Sequence, residues 1–288
     1  MAGARITGAV LTMNEEANIE FCLRSLHSWC DELIVVDMHS TDRTREIARH
    51  YTDKILDHEP IRDFGLARQL ALDSCTADWF LSIDADEVVT PQLADWIRAF
   101  IDSDPPYEAA LIPRANVFLG RWLRSTPWWP GKPRLFRRDW LIVTAELHRS
   151  LVAKPGARVA RLPKRPEVSL WHFTRLSLED IATKTNRYTT IEAMTELSEG
   201  RGDPNLLGIF WRSFRELLVY GAKRGYRDGL GGLAYALDRA YYRFLLQAKR
   251  WDIPRAATRR ARYDRWRERI LDDFPNAGRP AGRDSSRD

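Results

Sequence analysis

An alternation of short, β-rich apolar runs with helical patterns, from Arg5 to about Pro113, is the feature that most constrains the fold. Such an alternation is typical of a parallel sheet covered by helices. We therefore predict an α/β fold with a doubly wound, mostly parallel sheet. The predicted strands are residues 6–12 (ITGAVLT), 33–37 (LIVVD), 53–57 (DKILD) and 78–84 (DWFLSID).

Helical patterns fill the gaps between these runs. Residues 19–26 carry apolar side chains at helical spacing, and further helices are predicted over residues 40–51 and about 63–73. Side chains that accept a backbone N–H bond, and a proline in the first turn, mark helix starts. The predicted N-terminal residues of this kind are Ser40 or Thr41 for the second helix, and Thr90 followed by Pro91 for a fourth.

The chain changes character twice after this alternation. Residues 113–173 break into short pieces rich in Pro, Trp and Arg, which indicates loops and a few strands around a site. After Ser177 the pattern is helical, with a break at GRGDPN and then two helices separated by Gly225 and Gly229. We expect an α/β domain over residues 1–175, a helical region over 176–272 and a disordered tail over 273–288.

Two of the predicted C-terminal helices each carry a broad apolar stripe. A stripe this regular usually packs in a core, so we expect it to lie against the α/β domain. The alternative is a basic amphipathic hairpin on an anionic membrane, since Arg and Lys occupy the other faces. The stripe residues are Leu206, Leu207, Phe210, Trp211, Phe214, Leu217 and Leu218 in the first helix, and Leu233, Leu237, Tyr241, Phe244 and Leu245 in the second.

Composition excludes several classes of protein. The 288 residues are 44% hydrophobic, and no apolar run approaches the roughly 18 residues of a membrane-spanning helix. The start, MAGARITGAVLTMNEE, lacks the pattern of a secretory signal, so we expect a cytoplasmic protein. The three cysteines have no paired C-x-x-C spacing, which argues against a disulfide framework or a zinc cage.

The net charge of +5 is concentrated at one end of the chain. Residues 249–288 hold 12 basic and 7 acidic residues, which accounts for the whole excess. A basic end indicates contact with phosphates on nucleic acid or on a membrane surface, or else a solvated helix with a frayed tail.

Polar residues follow three of the predicted strands. Thr12, Asn14 and Glu15 follow the first, Asp37 ends the second, and the fourth ends in D-A-D-E from Asp84. Ligands of open α/β sheets bind outside the carboxyl ends of the strands. Together these residues therefore predict a binding site at that edge.

The loop after the first strand excludes a dinucleotide-binding site of the Rossmann type. It reads TMNEEAN, with no G-x-G-x-x-G, and no Walker lysine motif occurs in the chain. A phosphate ligand must then be neutralised in another way. Asp84 and Asp86, two hard oxygen donors one residue apart, could share a Mg²⁺ or Mn²⁺ ion that bridges a nucleoside diphosphate.

The order of these motifs resembles the family 2 glycosyltransferases of the GT-A fold, especially the branch that includes lipopolysaccharide core glucosyltransferases. The N-terminal motifs are N-E-E…N-I…C-L…S, D-E-L-I-V-V-D…S-T-D-x-T, F-x-x-A-R and D-W-x-L-x-x-D-A-D-E. Further matches are P-R-A-N-x-F-L-G (113–120), W-W-P-G-K-P-R-L-F-R-R (128–138) and G-Y-R-D-G-L-G-G-L (225–233). The resemblance implies a metal-dependent, inverting transferase that uses a nucleotide-sugar donor.

The resemblance also assigns roles to the residues at the strand ends. Thr12, Asn14 and Glu15 would line the nucleoside pocket, and Asp37 would accept a hydrogen bond from the base, uracil being the usual one. A carboxylate that recognises an imide N–H makes a charge-assisted hydrogen bond. Asp84 and Asp86 would form the metal-binding D-x-D, with Asp84 also among the donor-binding residues.

Three more residues are candidates for this site. Arg68 matches the A-R motif and would reach the diphosphate or the aspartates, unless it is an exposed helix charge. Arg134, which follows Trp128 and Trp129, is a candidate for binding an anion, the alternative for the tryptophans being simple packing under a loop. His172 would add a metal ligand or an acceptor contact, or it is a core histidine.

The general base is where the sequence departs from the family pattern. The branch has a His-Glu pair after the R-L-F segment, whereas this chain has His148 followed by Arg149. We favour Glu146 as the base with His148 assisting, because residues two apart on a strand share a face. Glu87 or His148 alone is an alternative, as is a protein that has lost or altered its activity.

The predicted function is transfer of a sugar, from a UDP-sugar donor, to a cell-envelope glycan or glycolipid such as lipopolysaccharide core. An acceptor with a lipid anchor suits a peripheral position on the inner face of the cytoplasmic membrane. Nucleotidyl transfer is an alternative, but it would want a Gly-rich phosphate loop with a lysine. The carboxylates of the predicted pocket argue against nucleic acid as a partner.

Overall fold

The computed structural model describes residues 3–59, 64–125, 132–144 and 151–271, and the side chains of residues 64 and 132 are not among them. In chain order the strands of these residues are β1 (Ile6–Thr12), β2 (Glu32–Asp37), β3 (Ile55–Asp57), β4 (Trp79–Asp84), β5 (Glu87–Val89), β6 (Ala109–Ile112), β7 (Arg114–Phe118), β8 (Arg121–Leu123), β9 (Lys132–Arg137), β10 (Leu141–Val143), β11 (Leu151–Ala153), β12 (Val159–Arg161) and β13 (Leu170–Arg175). The helices are α1 (Ile19–His27), α2 (Thr44–Ala48), α3 (Phe64–Asp73), α4 (Pro91–Asp102), α5 (Leu178–Ser198), α6 (Leu206–Ala222), α7 (Gly229–Asp252) and α8 (Ala256–Leu271).

The central sheet has seven strands in the order β12-β6-β9-β4-β1-β2-β3. Strand β1 is parallel to both β2 and β4, β2 is parallel to β3, and β9 runs antiparallel to its neighbours β4 and β6. The predicted α/β class with a mostly parallel sheet is therefore confirmed. The order reverses beside β1, since the chain continues to β2 on one side and returns to β4 on the other.

Successive residues of a central strand pack against helices on opposite faces of the sheet. Leu81 of β4 packs with Leu23 and Ile97, which come from α1 and α4. Phe80, next to it in sequence, packs with Ala67 of α3 and Phe136 of β9. Because neighbouring side chains on a strand point to opposite faces, a continuous apolar strand such as β4 requires helices on both sides.

A second sheet of four strands, in the order β5-β13-β7-β8, lies after the carboxyl end of β4. Strand β13 pairs antiparallel with β5, so that His172 is opposite Glu87, and parallel with β7, so that His172 is also opposite Asn116. This pairing brings the segment rich in Trp and Arg back to the D-A-D-E motif. Strands β10 and β11 form a separate antiparallel pair.

One of the two predicted helix starts is confirmed and one is wrong. Thr90 caps α4 by accepting a hydrogen bond from the Leu93 N–H, with Pro91 in the first turn. Helix α2 spans only five residues from Thr44, and neither Ser40 nor Thr41 caps it. Their polar groups bond Asp37 and Asn14 instead, because the loop after β2 is tied to the loop after β1.

Among the C-terminal helices, α5 and α7 contain buried residues, whereas α6 and α8 do not. Helix α5 packs on α7, where the Thr185 hydroxyl donates to Asp238 and the Tyr242 hydroxyl donates to Glu192. Tyr235 of α7 packs edge-on against Phe118 of β7. Helices α6 and α8, by contrast, contain no buried residue.

The expectation that the apolar stripe packs against the α/β domain is wrong. Helix α6 packs on α7, and its stripe residues Leu206 and Leu207 are more than 80% exposed. Both stripes face away from α5, because α7 uses its opposite side for that contact. None of the described helices combines the length and apolar composition needed to cross a bilayer.

Candidate active site

The register of the central sheet brings three of the predicted site segments to one edge. Thr12 pairs with Asp37 across β1 and β2, and Leu11 pairs with Asp84 across β1 and β4. In a parallel sheet the carboxyl ends of neighbouring strands lie side by side, so polar residues after each strand share one crevice. The strand-end residues predicted from the sequence therefore do lie together.

Asp37 and Thr12 form the end of this crevice nearest β2. Asp37 is 1% exposed, and its carboxylate accepts the Ser40 hydroxyl at 2.5 Å. Arg45 of α2 lies 3.8 Å from the other carboxylate oxygen. The Thr12 hydroxyl is buried and has no hydrogen-bond partner among the described residues. A buried hydroxyl rarely stays unpaired in a folded protein, so Thr12 is able to take a further hydrogen-bond partner.

The loops after β1 and β2 hold each other in place. The Asn14 side-chain oxygen accepts the Thr41 N–H at 2.7 Å, and the Glu15 N–H donates to the Thr44 hydroxyl at 2.8 Å. Asn14 and His39 both have left-handed backbones, with φ of 55°. Such conformations persist only where the surroundings fix them, and they are frequent at ligand sites.

Asp84 is held by two arginines. Its two carboxylate oxygens accept from Arg68 at 3.0 Å and from Arg134 at 2.9 Å. Burial alone would raise the pKa of Asp84, but the charges of Arg134 and Arg68 outweigh it and hold the pKa well below its usual range. Arg68 is thus not an exposed helix charge, since only 12% of its side chain is accessible.

Arg134 and Glu87 form a buried ion pair beneath Asp84. Glu87 is fully buried, accepts from Arg134 at 2.7 Å and from the Asp84 N–H at 2.9 Å, and lies 3.3 Å from Arg114. The charges of Asp84 and Glu87 raise the pKa of Arg134 although burial acts to lower it. Both oxygens of Glu87 are therefore engaged within the protein, which makes Glu87 a weaker alternative for the base than a carboxylate that opens to the crevice.

Asp86 faces His172 across the start of the second sheet. Asp86 Oδ2 lies 3.3 Å from His172 Nε2, and His172 Nδ1 lies 2.8 Å from the side-chain oxygen of Asn116. An amide oxygen can only accept, so Nδ1 carries a proton and Nε2 is directed at the carboxylate. Burial acts to raise the pKa of Asp86, but the interaction with His172 outweighs it and lowers the pKa.

Lys184 is a site residue that the sequence did not reveal. It lies on α5, and its ammonium is 3.0 Å from Glu15 and 3.5 Å from Asp180. Burial acts to lower the pKa of Lys184, but the charges of Glu15 and Asp86 outweigh it and raise the pKa. Burial and the charge of Asp86 raise the pKa of Glu15 in turn. A lysine 169 positions from its partner, on a polar helix, leaves no local signal in the sequence.

The donor set suits a hard divalent cation, although no cluster of three or more His, Cys, Asp or Glu residues with a metal-binding arrangement occurs within the described ranges. Asp86 and His172 bring an oxygen and a nitrogen within 3.3 Å of each other. Each oxygen of Asp84 accepts one arginine and keeps a second lone pair. These three residues therefore fit a Mg²⁺ or Mn²⁺ ion chemically.

Several predicted residues lie outside the part of the chain that the structure describes. Glu146, His148 and Arg149 fall in residues 145–150, and Trp128 and Trp129 fall in residues 126–131. The choice between Glu146 and His148 as the base therefore rests on the sequence.

The chemistry that this edge supports is the binding of an anionic, nucleotide-like ligand. One end offers a buried carboxylate and an unpaired hydroxyl, and the other offers two carboxylates and a histidine for a cation. A bound cation beside carboxylates lets a diphosphate enter a site that would otherwise repel it.

Several known proteins similar to this chain are named glycosyltransferases. The sequence profile described as Glycosyl transferase family 2 matches residues 9–151. The lipopolysaccharide core biosynthesis glycosyltransferase LpsC of Rhizobium meliloti (strain 1021) is 27% identical over 256 residues, which are 85% of this chain and 91% of that protein. An uncharacterized glycosyltransferase of Rickettsia bellii (strain RML369-C) is 26% identical over 259 residues, 85% of each protein.

A solved structure similar to this chain is the mannosyltransferase PcManGT of Pyrobaculum calidifontis, in complex with GDP-Man and Mn²⁺. It is 18% identical, covers 88% of each chain and has a TM-score of 0.49. The family match spans the ends of β1, β2 and β4, which carry the crevice described above. The chain therefore belongs to glycosyl transferase family 2 and is a glycosyltransferase.

Proposed function

We propose that this glycosyltransferase transfers a sugar from a UDP-sugar to a cell-envelope glycan or glycolipid, with inversion and with the help of a divalent cation. The observation that carries the proposal is the single crevice that joins Thr12 and Asp37 at one end to Asp84, Asp86 and His172 at the other. Nucleoside recognition and diphosphate neutralisation are the two tasks that a nucleotide-sugar site must combine.

The nucleoside end of the proposal rests on hydrogen-bonding capacity. Asp37 has a buried carboxylate that can accept the imide N–H of uracil, and the Thr12 hydroxyl lacks a partner within the described chain. Asn14 and Glu15 belong to the loop that would close over the nucleoside, and this loop is held by Thr41 and Thr44. The pocket is thus rigid before the donor binds, which lowers the entropic cost of binding.

The diphosphate end of the proposal rests on charge. Asp84, Asp86 and His172 would hold a Mg²⁺ or Mn²⁺ ion, which stabilises the negative charge that builds on the departing diphosphate. Arg68 and Arg134 hold Asp84 in place, so in this proposal both arginines act through the aspartate. His172 Nε2 is directed at Asp86, an arrangement that requires a proton or a cation between the two acceptors.

The base in this proposal is Glu146, with His148 assisting. An inverting transferase needs one group that removes the proton of the acceptor hydroxyl as this oxygen attacks the anomeric carbon. Glu87 is a weaker alternative because it is buried and bonded on both oxygens. Glu146 then remains the carboxylate nearest in sequence to the expected position.

The acceptor is proposed from the relatives. LpsC takes part in lipopolysaccharide core biosynthesis according to its name, and it matches this chain over most of both lengths. An envelope glycolipid acceptor fits a peripheral position on the inner face of the cytoplasmic membrane.

A test of the donor site is titration calorimetry of UDP, with and without Mn²⁺, on the wild type and on Asp86→Asn. We expect Mn²⁺ to strengthen UDP binding to the wild type but not to Asp86→Asn. The turnover of this variant should be lower by about 10²-fold or more. The matched control is Asp95→Asn, an exposed aspartate on α4. A variant that keeps the metal effect would remove Asp86 from the site, and preferred hydrolysis of GDP-sugars would overturn the choice of uracil.

A test of the base uses Glu146→Gln, His148→Ala and Arg149→Glu. Glu146→Gln should keep UDP affinity and lower turnover by about 10² to 10⁴-fold, the usual contribution of a positioned base. His148→Ala should be milder, and the opposite ranking would assign the role to the histidine.

The second candidate is a sugar-nucleotide-binding protein with altered or lost activity, which Arg149 favours because it replaces the expected carboxylate. A silent wild type that gains transfer activity with Arg149→Glu would establish this alternative.

A further inference from the structure

We propose that the exposed apolar face of α6 and α7 docks the protein on the surface of an anionic lipid bilayer. This inference goes beyond the proposed transfer reaction and does not depend on it. The face consists of Leu206, Leu207, Phe210, Trp211, Phe214 and Leu218 on α6, with Leu230, Leu233, Leu237, Tyr241, Phe244 and Trp251 on α7.

The size and exposure of this face set it apart from the rest of the described surface. Each of its side chains is between 39% and 85% exposed. Single exposed apolar residues are normal on soluble proteins, but a contiguous set of large ones marks an interaction surface.

The two helices present their apolar residues on one continuous surface. On α7 they recur every three or four positions from Leu230 to Phe244, and Trp251 follows two turns later, which places them along one side of the helix. The other sides of α7 pack on α5 and α6. An open apolar groove between the helices is lined by Leu206 and Phe210 of α6 and by Leu237, Tyr241 and Phe244 of α7. The α6 and α7 stripes therefore join at this groove.

The net charge of the helical end indicates which partner binds this face. Residues 206–271 hold 16 Lys and Arg against 6 Asp and Glu, whereas residues 1–205 hold 26 against 30. The helical end thus has a net charge of +10 and the part with the catalytic crevice a net charge of −4. A bilayer with anionic headgroups complements both features of the helical end, because it offers negative charge at the surface and an apolar interior beneath it.

Helix α8 adds basic and aromatic residues to the same end. It has no buried residue, and the Arg267 and Arg269 guanidiniums lie over the rings of Tyr263 and Trp266. Arginine together with Trp and Tyr is the composition typical of the headgroup region of membranes. The helix can therefore lie beside the apolar face at the level of the headgroups.

A second copy of the chain is a weaker candidate for the partner. Docking the face on itself would bring two ends of net charge +10 together, and like charges oppose such a contact. Since none of the described helices can cross a bilayer, the docking is interfacial.

The experiment is co-sedimentation of the full-length protein with vesicles of phosphatidylcholine alone and of phosphatidylcholine with about one third phosphatidylglycerol. We expect binding to the anionic vesicles and much weaker binding to the neutral ones. Raising the salt from about 0.1 M to about 1 M should weaken the binding, because the Debye length falls from about 10 Å to about 3 Å.

Variants separate the two contributions. Trp211→Ser should lower partitioning into anionic vesicles by about tenfold, and its matched control is Phe21→Ser on α1, since the two side chains are 56% and 57% exposed. Arg265→Glu on α8 should lower it by about fivefold or more, with Arg24→Glu on α1 as the control. Circular dichroism and UDP affinity should be unchanged in all four variants.

The proposal is overturned if the wild type does not bind anionic vesicles at low salt, or if the α1 controls lose as much binding as the α6 and α8 variants. If vesicle binding is absent and sedimentation velocity shows a dimer that Trp211→Ser abolishes, the partner of this face is a second copy of the chain. Failure of the glycosyltransferase proposal is distinguishable, because it would appear in UDP binding and turnover and leave vesicle binding intact.

Discussion

The edge of the central sheet and the helices α6 and α7 differ in which side chains they bury and which they expose. At the sheet edge the ionic side chains are buried and paired with one another, as Asp84 and Glu87 are with Arg134. On α6 and α7 the large apolar side chains are exposed, and the surrounding charge has one sign. A buried charge must find its partner within the fold, whereas an exposed apolar face finds one outside it. We accordingly propose a small ligand for the first region and a membrane surface for the second.

The largest effect on stability is expected at the sheet edge, from Arg134→Met. This change leaves Glu87 buried and without its closest cation, so the free energy of unfolding should fall by about 3 to 5 kcal/mol. Urea unfolding measures it, and Arg98→Met is the control, since the Arg98–Asp31 pair is partly exposed and should contribute at most about 1 kcal/mol. Similar losses for the two variants would mean that the buried ion pair of the sheet edge contributes no more to stability than a partly exposed one.

The same substitution in the two regions should give different results. Leu81→Ala, in the buried strand β4, should lower the free energy of unfolding by about 2 to 5 kcal/mol. Leu207→Ala, at a side chain 83% exposed on α6, should change it by no more than about 0.5 kcal/mol. A large loss from Leu207→Ala in the free protein would show that the face is covered in solution.

The stability contributions of two carboxylates, Glu32 at the start of β2 and Asp238 on α7, should depend on pH in opposite ways. Burial acts to raise the pKa of Glu32, but bonds from Lys54, Thr7 and Thr76 outweigh it and lower the pKa from 4.5 to about 2. Because the folded pKa is depressed, this stabilisation is present above pH 4.5 and is lost as the pH falls towards 2. Glu32→Gln should lower the unfolding free energy by about 1.5 to 3 kcal/mol at neutral pH, and the difference from wild type should shrink in acid.

Asp238 on α7 should show the opposite sign. Burial raises its pKa, so its contribution to stability is present below its ordinary pKa and is lost as the pH rises through the folded value. Asp238→Asn keeps an oxygen for the Thr185 hydroxyl, and we expect it to stabilise the protein at neutral pH. Thermal unfolding of both variants between about pH 3 and pH 7 would test the pair.

A modest effect on ligand binding is expected from the contact between α5 and the sheet edge. Lys184→Met removes the cation of α5 from Glu15, and UDP affinity should fall about fivefold, which corresponds to about 1 kcal/mol. Lys184→Arg keeps the charge and should retain most of the affinity. If both variants bind UDP like the wild type, the Lys184–Glu15 pair is purely structural.

Much of the fold could be predicted because its signals are local. Strands β1, β2 and β4 are apolar runs that end in polar residues, and Thr90 with Pro91 marks the start of α4. Ser40 and Thr41 have the residue types of a helix cap, but contacts with Asn14 use their polar groups. A competing partner 26 or 27 positions away is invisible to a local pattern.

The helical stripe shows the same limit on a larger scale. Its periodicity predicts an amphipathic helix, and α6 is one. Periodicity does not say whether the apolar side meets protein or something else, and the choice depends on how α5, α6 and α7 pack.

The sequence by itself determined the α/β class, the strand ends that carry Thr12, Asp37, Asp84 and Asp86, and the family, because each of these follows from residues close together in the chain. Only the tertiary structure decided that Arg134 holds Asp84, that Glu87 is sealed, that Lys184 enters the site and that the stripe is exposed. These outcomes depend on which distant segments meet, since pairing and burial are properties of the folded chain.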